Sequence, residues 1–316
     1  MVVLLNLIQQ FQPPLFSTTK SLSSNKSRVV RTSISCSSSS SSMYPQNKRL
    51  RFIDLPYLPT PQRNLMVDLV SKMETSLGSQ LLPSSLPLDV QYFENESGSS
   101  QGALDIRSGT QDSTVDFILG SWIHSKLPSG ALNITTLTAY LNNTTDAPRF
   151  LIEFIQSSPT SLILILDLPP RKDLILYPDY LTTFYNDTQL DRFRQQLVKL
   201  PEIQPYFSSS LYTRSVFSTT AVSIVIDCGT GGPDRMDEII LDDVSPAAKE
   251  MLDIWLDKCV CGGRDMEEQE RVDLKKRDVL VNKKTLEIDL VAGLPRLFGP
   301  DVANRVIEAI QKYSLA

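Results

Sequence analysis

The chain has 316 residues, with 31 basic and 36 acidic side chains and a formal net charge of −5. An acidic chain neutralises phosphates poorly, which argues against a nucleic-acid-binding function. No apolar run reaches the roughly 18 residues needed to cross a bilayer, and the single histidine and four cysteines show no zinc or iron–sulfur spacing.

Residues 1–53 contain no Asp or Glu, and residues 1–42 hold thirteen serines and four basic residues, Lys20, Lys26, Arg28 and Arg31. Ser-rich, basic and acid-free is the composition of an organelle transit peptide, so 1–42 is expected to be a plastid transit peptide with a Ser-rich linker. A mitochondrial destination has the same signature, and a disordered Ser-rich tail is the plainer alternative. Without this segment the formal charge moves from −5 to −9. Residues 43–316 hold no internal repeat and no Gly-, Ser- or Pro-rich linker, and read as one domain.

Thr60-Pro61 predicts a helix start, with Thr60 as N-cap. Met66, Leu69, Val70, Met73 and Leu77 then recur at helical spacing up to Gly78. Short apolar runs follow at 90–93, 104–107, 115–123, 132–141, 150–155 and 162–168, each predicted to be a strand. The connections between them are short. That predicts antiparallel neighbours, because a parallel return needs a crossover of about a dozen residues or more. A helix is predicted at 187–200 and two further strands at 211–217 and 221–227. Ser245-Pro246 repeats the cap-and-proline signal before a helix that buries Ala248, Met251 and Trp255. A charged helical stretch at 264–284 and an amphipathic helix at 300–313 close the chain. This order predicts the α/β class: a central, mainly antiparallel sheet with helices on both faces.

Familiar catalytic signatures are missing: no Gly-x-Gly-x-x-Gly after a strand, no P-loop, no Gly-x-Ser-x-Gly elbow. His124 ends an apolar strand, where a histidine serving the fold is the commoner outcome. Cys259 and Cys261 read as ordinary helix-end thiols. Proton chemistry must then rest mainly on carboxylates, and Asp116, Glu153, Asp167 and Asp227 stand within strand-like runs. Alternation puts Glu153 on one face with Leu151 and Ile155. An apolar pocket on that face would raise its pKa and make it a proton donor. A solvent-facing or arginine-paired Glu153 is the alternative. Asp167 and Asp227 read as turn formers, and Asp289 as an exposed helix-end acid.

Five strings go further: Pro61-Gln-Arg-Asn-Leu-Met-Val-Asp-Leu, Asp116-Phe-Ile-Leu-Gly-Ser-Trp-Ile-His, Leu164-Ile-Leu-Asp-Leu-Pro, Val244-Ser-Pro-Ala-Ala-Lys-Glu and Leu294-Pro-Arg-Leu-Phe-Gly. From about residue 52 to the C-terminus the chain resembles the red chlorophyll catabolite reductases, with residues 262–285 fitting least. The resemblance implies the α/β/α sandwich of the ferredoxin-dependent bilin reductases. It implies reduction of the C20/C1 double bond of red chlorophyll catabolite, the open-chain product of pheophorbide a oxygenase, to primary fluorescent chlorophyll catabolite. No flavin, nicotinamide or metal would be bound. Reduced ferredoxin would supply electrons, and the protein would be a stromal homodimer, with the oxygenase as a further candidate partner. The family's two functional carboxylates match Glu153 and Asp289, with Glu287 as the rival for the second. A pocket position beside the reacting end of the pigment matches Phe217.

Two other functions compete with this one. A non-catalytic carrier that sequesters phototoxic pigment would need the pocket but no acid. A cofactor-free hydrolase would need a nucleophile–base pair built around His124. For ferredoxin, which is acidic, the best landing site in the sequence is the cluster Lys275, Lys276, Arg277, Lys283 and Lys284, followed by Arg171 and Lys172. A solvated helix face balanced by neighbouring acids is the plainer reading of the cluster.

Overall fold

A computed structural model describes residues 50–128, 130–262 and 266–315. The segment expected to be a transit peptide, 1–42, lies outside the described residues.

Eight strands form one antiparallel sheet in the order β1-β2-β3-β4-β5-β6-β8-β7. They are β1 (Tyr92–Glu94), β2 (Ser100–Ser108), β3 (Val115–Leu127), β4 (Gly130–Leu141), β5 (Phe150–Ser158), β6 (Ser161–Asp167), β7 (Ile203–Pro205) and β8 (Val222–Asp227). From β1 to β6 each strand pairs with the next, as short turns require. Between β6 and β8 the chain leaves the sheet and returns with β7 on the outer edge.

The period-2 alternation sorts the apolar side chains into two cores. On one face, Leu137, Ile152, Phe154, Leu162, Leu164 and Leu166 meet the Thr60–Leu77 helix and the helices running from Gly232 to Val260. On the other, Leu119, Ile134, Leu151, Ile155 and Ile165 meet the Glu268–Leu286, Ala292–Phe298 and Pro300–Ser314 helices. The predicted sandwich is therefore present, and its sheet is buried on both sides. The chain leaves the first long helix through Gly78 at φ 49°, a left-handed conformation that glycine adopts without strain.

Three local expectations need correction. The 211–217 run, predicted as a strand, is a helix over Leu211–Val216. Ser210 caps it, its Oγ accepting from the Thr213 N–H at 3.2 Å, and Phe217 follows in extended backbone. The missing strand is β7, three residues ending in Pro205, too short to show alternation. The predicted 187–200 helix is shorter, Asp191–Leu197, and follows a π-helical turn at Thr182–Asn186. Thr60 is the first helical residue rather than the cap, a position held by Pro59.

Candidate active site

The face covered by the C-terminal helices carries a row of polar side chains across the middle of the sheet. Ser121 on β3 stands opposite Thr136 on β4, and Thr136 opposite Glu153 on β5. All three are buried, Glu153 with no exposed surface at all. The Thr136 hydroxyl donates to Glu153 Oε1 at 3.0 Å. A buried hydroxyl could satisfy itself on nearby backbone. A glutamate in the middle of a sheet face is costly, and its placement points to chemistry rather than packing.

Asp289 approaches the same region from above. It sits in a π-helical turn, Glu287–Val291, inserted between the Glu268–Leu286 and Ala292–Phe298 helices. The wider turn rotates Asp289 and Leu290 inward, and Asp289 is 1% exposed. The sequence reading of an exposed helix-end acid is thus overturned. Glu287 instead faces solvent and pairs with Lys284 at 3.1 Å. Burial pushes the Asp289 pKa well above the usual carboxylate range, and the nearby charge of Glu153 pushes it the same way. Its Oδ2 is buried with no hydrogen-bond partner among the described residues. Tyr206 lies within electrostatic reach of both acids and is pushed up to about 12, mainly by burial. A π turn is often a mark of function. Here the same turn recurs at Ile240–Val244 and Trp255–Val260, so the buried acid singles this one out.

Beside the two acids lies an apolar cleft of about 900 Å³, counting its open mouth. Leu119, Tyr140, Leu151, Phe217, Leu286 and Leu290 form much of its wall, and Arg149 and Arg277 supply charge. Glu153 is two residues from Leu151 on the same strand face, and Asp289 adjoins Leu290. Phe217 also borders a second groove of about 1120 Å³ with Tyr206, Arg214 and Ser223. Its half-buried ring therefore stands between the two spaces. The three residues matched by the family resemblance, Glu153, Asp289 and Phe217, are brought to one face of the sheet.

One residue on this face escaped the sequence reading. Asp167, taken for a turn former, is fully buried and accepts from the Ser218 N–H at 2.9 Å and the Ser218 hydroxyl at 2.5 Å. Burial raises its pKa to about 6 against those bonds. It ties the end of β6 to the residue after Phe217. The available signal was its phase, since it continues the Ile163 and Ile165 side of the strand. Asp227 does turn the chain, accepting from the Gly229 N–H at 3.1 Å.

Other candidates fall away from the site. His124 shares the Trp122 side of β3, on the opposite face from Glu153. Its Nδ1 is hydrogen-bonded to Asn133 Oδ1 at 2.7 Å and its ring stacks on Tyr57. No nucleophile–base pair with Glu153 can be assembled from it. Cys259 is buried, which raises its thiol pKa and keeps it from ionising. No group of three or more metal-ligating side chains occurs among the described residues. Arg171 is buried against Asp278 and offers nothing to a docking partner. Lys275, Lys276, Lys283 and Lys284 are exposed on the helix that walls the cleft, whereas Arg277 turns in to the Pro170 carbonyl at 2.9 Å.

Known proteins place this geometry. The family model for red chlorophyll catabolite reductase matches residues 61–312. The chain is 50% identical to the chloroplastic red chlorophyll catabolite reductase of Arabidopsis thaliana over 268 residues, 84% of this chain and 83% of that protein. It is also 50% identical to red chlorophyll catabolite reductase 1 of Oryza sativa, over 77% of this chain and 75% of that protein. Phytochromobilin synthase from tomato, solved in complex with biliverdin, shares the fold. Its TM-score is 0.59 at 15% identity, over 79% of this chain and 84% of that one. The chain belongs to the red chlorophyll catabolite reductase family.

Proposed function

We propose that this chain reduces the C20/C1 double bond of red chlorophyll catabolite to give primary fluorescent chlorophyll catabolite. The observation that carries the reading is the buried pair Glu153 and Asp289 beside an apolar cleft. The reduction adds two electrons and two protons across one C=C bond. Two molecules of reduced ferredoxin supply the electrons one at a time and leave oxidised. Asp289, held protonated by burial, and Glu153 supply the protons. The cleft orients the pigment and excludes water from the reduced intermediate. No resident redox group takes part in this scheme. The exposed lysines of the Glu268–Leu286 helix give an acidic ferredoxin a landing site on the cleft wall.

Residues 1–42 act as the transit peptide of a single reductase domain, 43–316. The chloroplast stroma is the site of action, as the names of the plant relatives suggest, with a mitochondrial pool as a second location. The enzyme works as a homodimer and receives its substrate from pheophorbide a oxygenase. An anaerobic assay with reduced ferredoxin and red chlorophyll catabolite tests the reading by product fluorescence. Tight pigment binding with no fluorescent product would favour a carrier instead.

A further inference from the structure

The end of the cleft formed by Pro169 and Pro170 holds more positive charge than the fold uses. Three guanidiniums, Arg149, Arg171 and Arg277, gather around the single carboxylate of Asp278. Adding Asp116, which lies within electrostatic reach of Arg171 and Arg149, still leaves one positive charge in excess. Arg171 is fully committed to structure. Its Nε and Nη2 bind Asp278, and its other donors close on the carbonyls of Thr145 and Asn142.

The other two arginines line the cleft. Arg149 is only 8% exposed and is held by Asn282 Oδ1 and Asp278 Oδ1, each at 2.8 Å. Its Nε is buried with no hydrogen-bond partner among the described residues. Arg277 reaches Asp278 only at 3.7 Å. Burial lowers the Arg277 pKa, and Arg149 and Arg171 push it the same way against Asp278 and Tyr180. An uncompensated buried cation is costly, and an incoming anion relieves that cost. Arg149 also lies over the Tyr140 ring, 4.9 Å from its centre, and Tyr140 is within electrostatic reach of Asp289 and Glu153. One aromatic residue thus links the cationic end to the acids.

On the tetrapyrrole reading proposed above, we infer that Arg149 and Arg277 form a carboxylate-binding subsite that takes the ionised propionate arm of the pigment. Guanidinium matches carboxylate in planar, two-pronged geometry. Anchoring the arm at one end of the cleft fixes which bond of a flexible open chain lies beside Glu153 and Asp289. The subsite is thus a selector of position along the pigment as well as a source of affinity.

The test compares red chlorophyll catabolite with its propionate methyl ester in absorbance-monitored binding titrations. The wild-type protein should bind the free acid about tenfold or more tighter than the ester, the scale of a charge-assisted pair in a cleft. Arg277→Gln and Arg149→Gln should each bring the acid-to-ester ratio close to one. Equal binding of acid and ester by the wild type overturns the subsite and needs no substitution, so a poorly folding Arg149 variant does not blunt the test. A preference abolished by Arg214→Gln and untouched by Arg277→Gln moves the carboxylate to the second groove and overturns it too. Binding of neither pigment refutes the tetrapyrrole reading, and the subsite with it.

Discussion

Glu153 and Asp289 differ in how the fold treats them. Glu153 is held by Thr136 on a strand, while Asp289 projects from a turn with one oxygen unpartnered. Both face the same space, so each carboxyl-to-amide change keeps shape and removes an acidic proton. Glu153→Gln and Asp289→Asn should each lower kcat by about a hundredfold or more, with pigment binding changed far less. Full turnover by either variant at pH 7 would remove that residue from the chemistry. Asp289 acts as an acid, so the rate should fall as pH rises through its elevated pKa. Glu287→Gln, at a solvent-facing position, should be silent. Phe217 carries a different burden. Its ring separates two grooves and can exclude one pose of the pigment's end ring, and a tenfold bias needs only about 1.4 kcal/mol. Phe217→Val should stay active and yield a second C1 epimer, visible as a new fluorescent peak in chromatography. A single unchanged epimer, together with a lowered Tm, would reassign Phe217 to packing.

At the scale of elements, the Glu268–Leu286 helix has two working faces. Val281, Asn282, Thr285 and Leu286 look into the cleft, while Lys275, Lys276 and Lys283 look out. Lys276 and Lys284 are each paired three residues away along the helix, with Asp273 and Glu287. Such exposed pairs are weak and leave their charge available to a large acidic partner. Reversing Lys275, Lys276 and Lys283 to glutamate should raise the apparent KM for ferredoxin several-fold at low salt. The difference should shrink as salt screens it. An unchanged KM at low ionic strength would send the docking surface elsewhere.

The sheet was legible in the sequence because its strands alternate and its turns are short. Glu153 was legible for the same reason, since one polar residue stood out of phase with an apolar run. Asp289 was not, because nothing in Leu286-Glu-Ile-Asp-Leu announces that the helix widens by one residue there. The 211–217 segment misled by composition. Its alternating Leu, Tyr, Thr and Val suit a strand, but Ser210 satisfies the first free N–H groups and starts a helix. Three-residue β7 is set by its pairing with β8, which no local pattern records.

For the whole molecule, the buried acids link stability to pH. Asp167 has a folded pKa of about 6, above the value near 3.9 of an unfolded aspartate. Its contribution is present in full below the unfolded pKa and is lost as pH rises through the folded one. Thermal melts should therefore show the wild type losing stability between about pH 4 and pH 6. Asp167→Asn should flatten that slope, and a slope unaltered by the substitution would show that other groups set it.

The two cores close at different times as the chain is made. Strands β1 to β6 pair with their immediate neighbours in sequence, so ribbon after ribbon can zip as each emerges. The second face of that sheet waits for the Glu268–Leu286, Ala292–Phe298 and Pro300–Ser314 helices, which come last from any ribosome. Until then Leu119, Leu151, Ile155 and Ile165 lie open, with Glu153 among them. A nascent chain is thus a sticky, unroofed sheet with no acid pair, and catalytic competence arrives only with the final fifth of the polypeptide. Any premature stop in that stretch leaves an aggregation hazard rather than a slow enzyme.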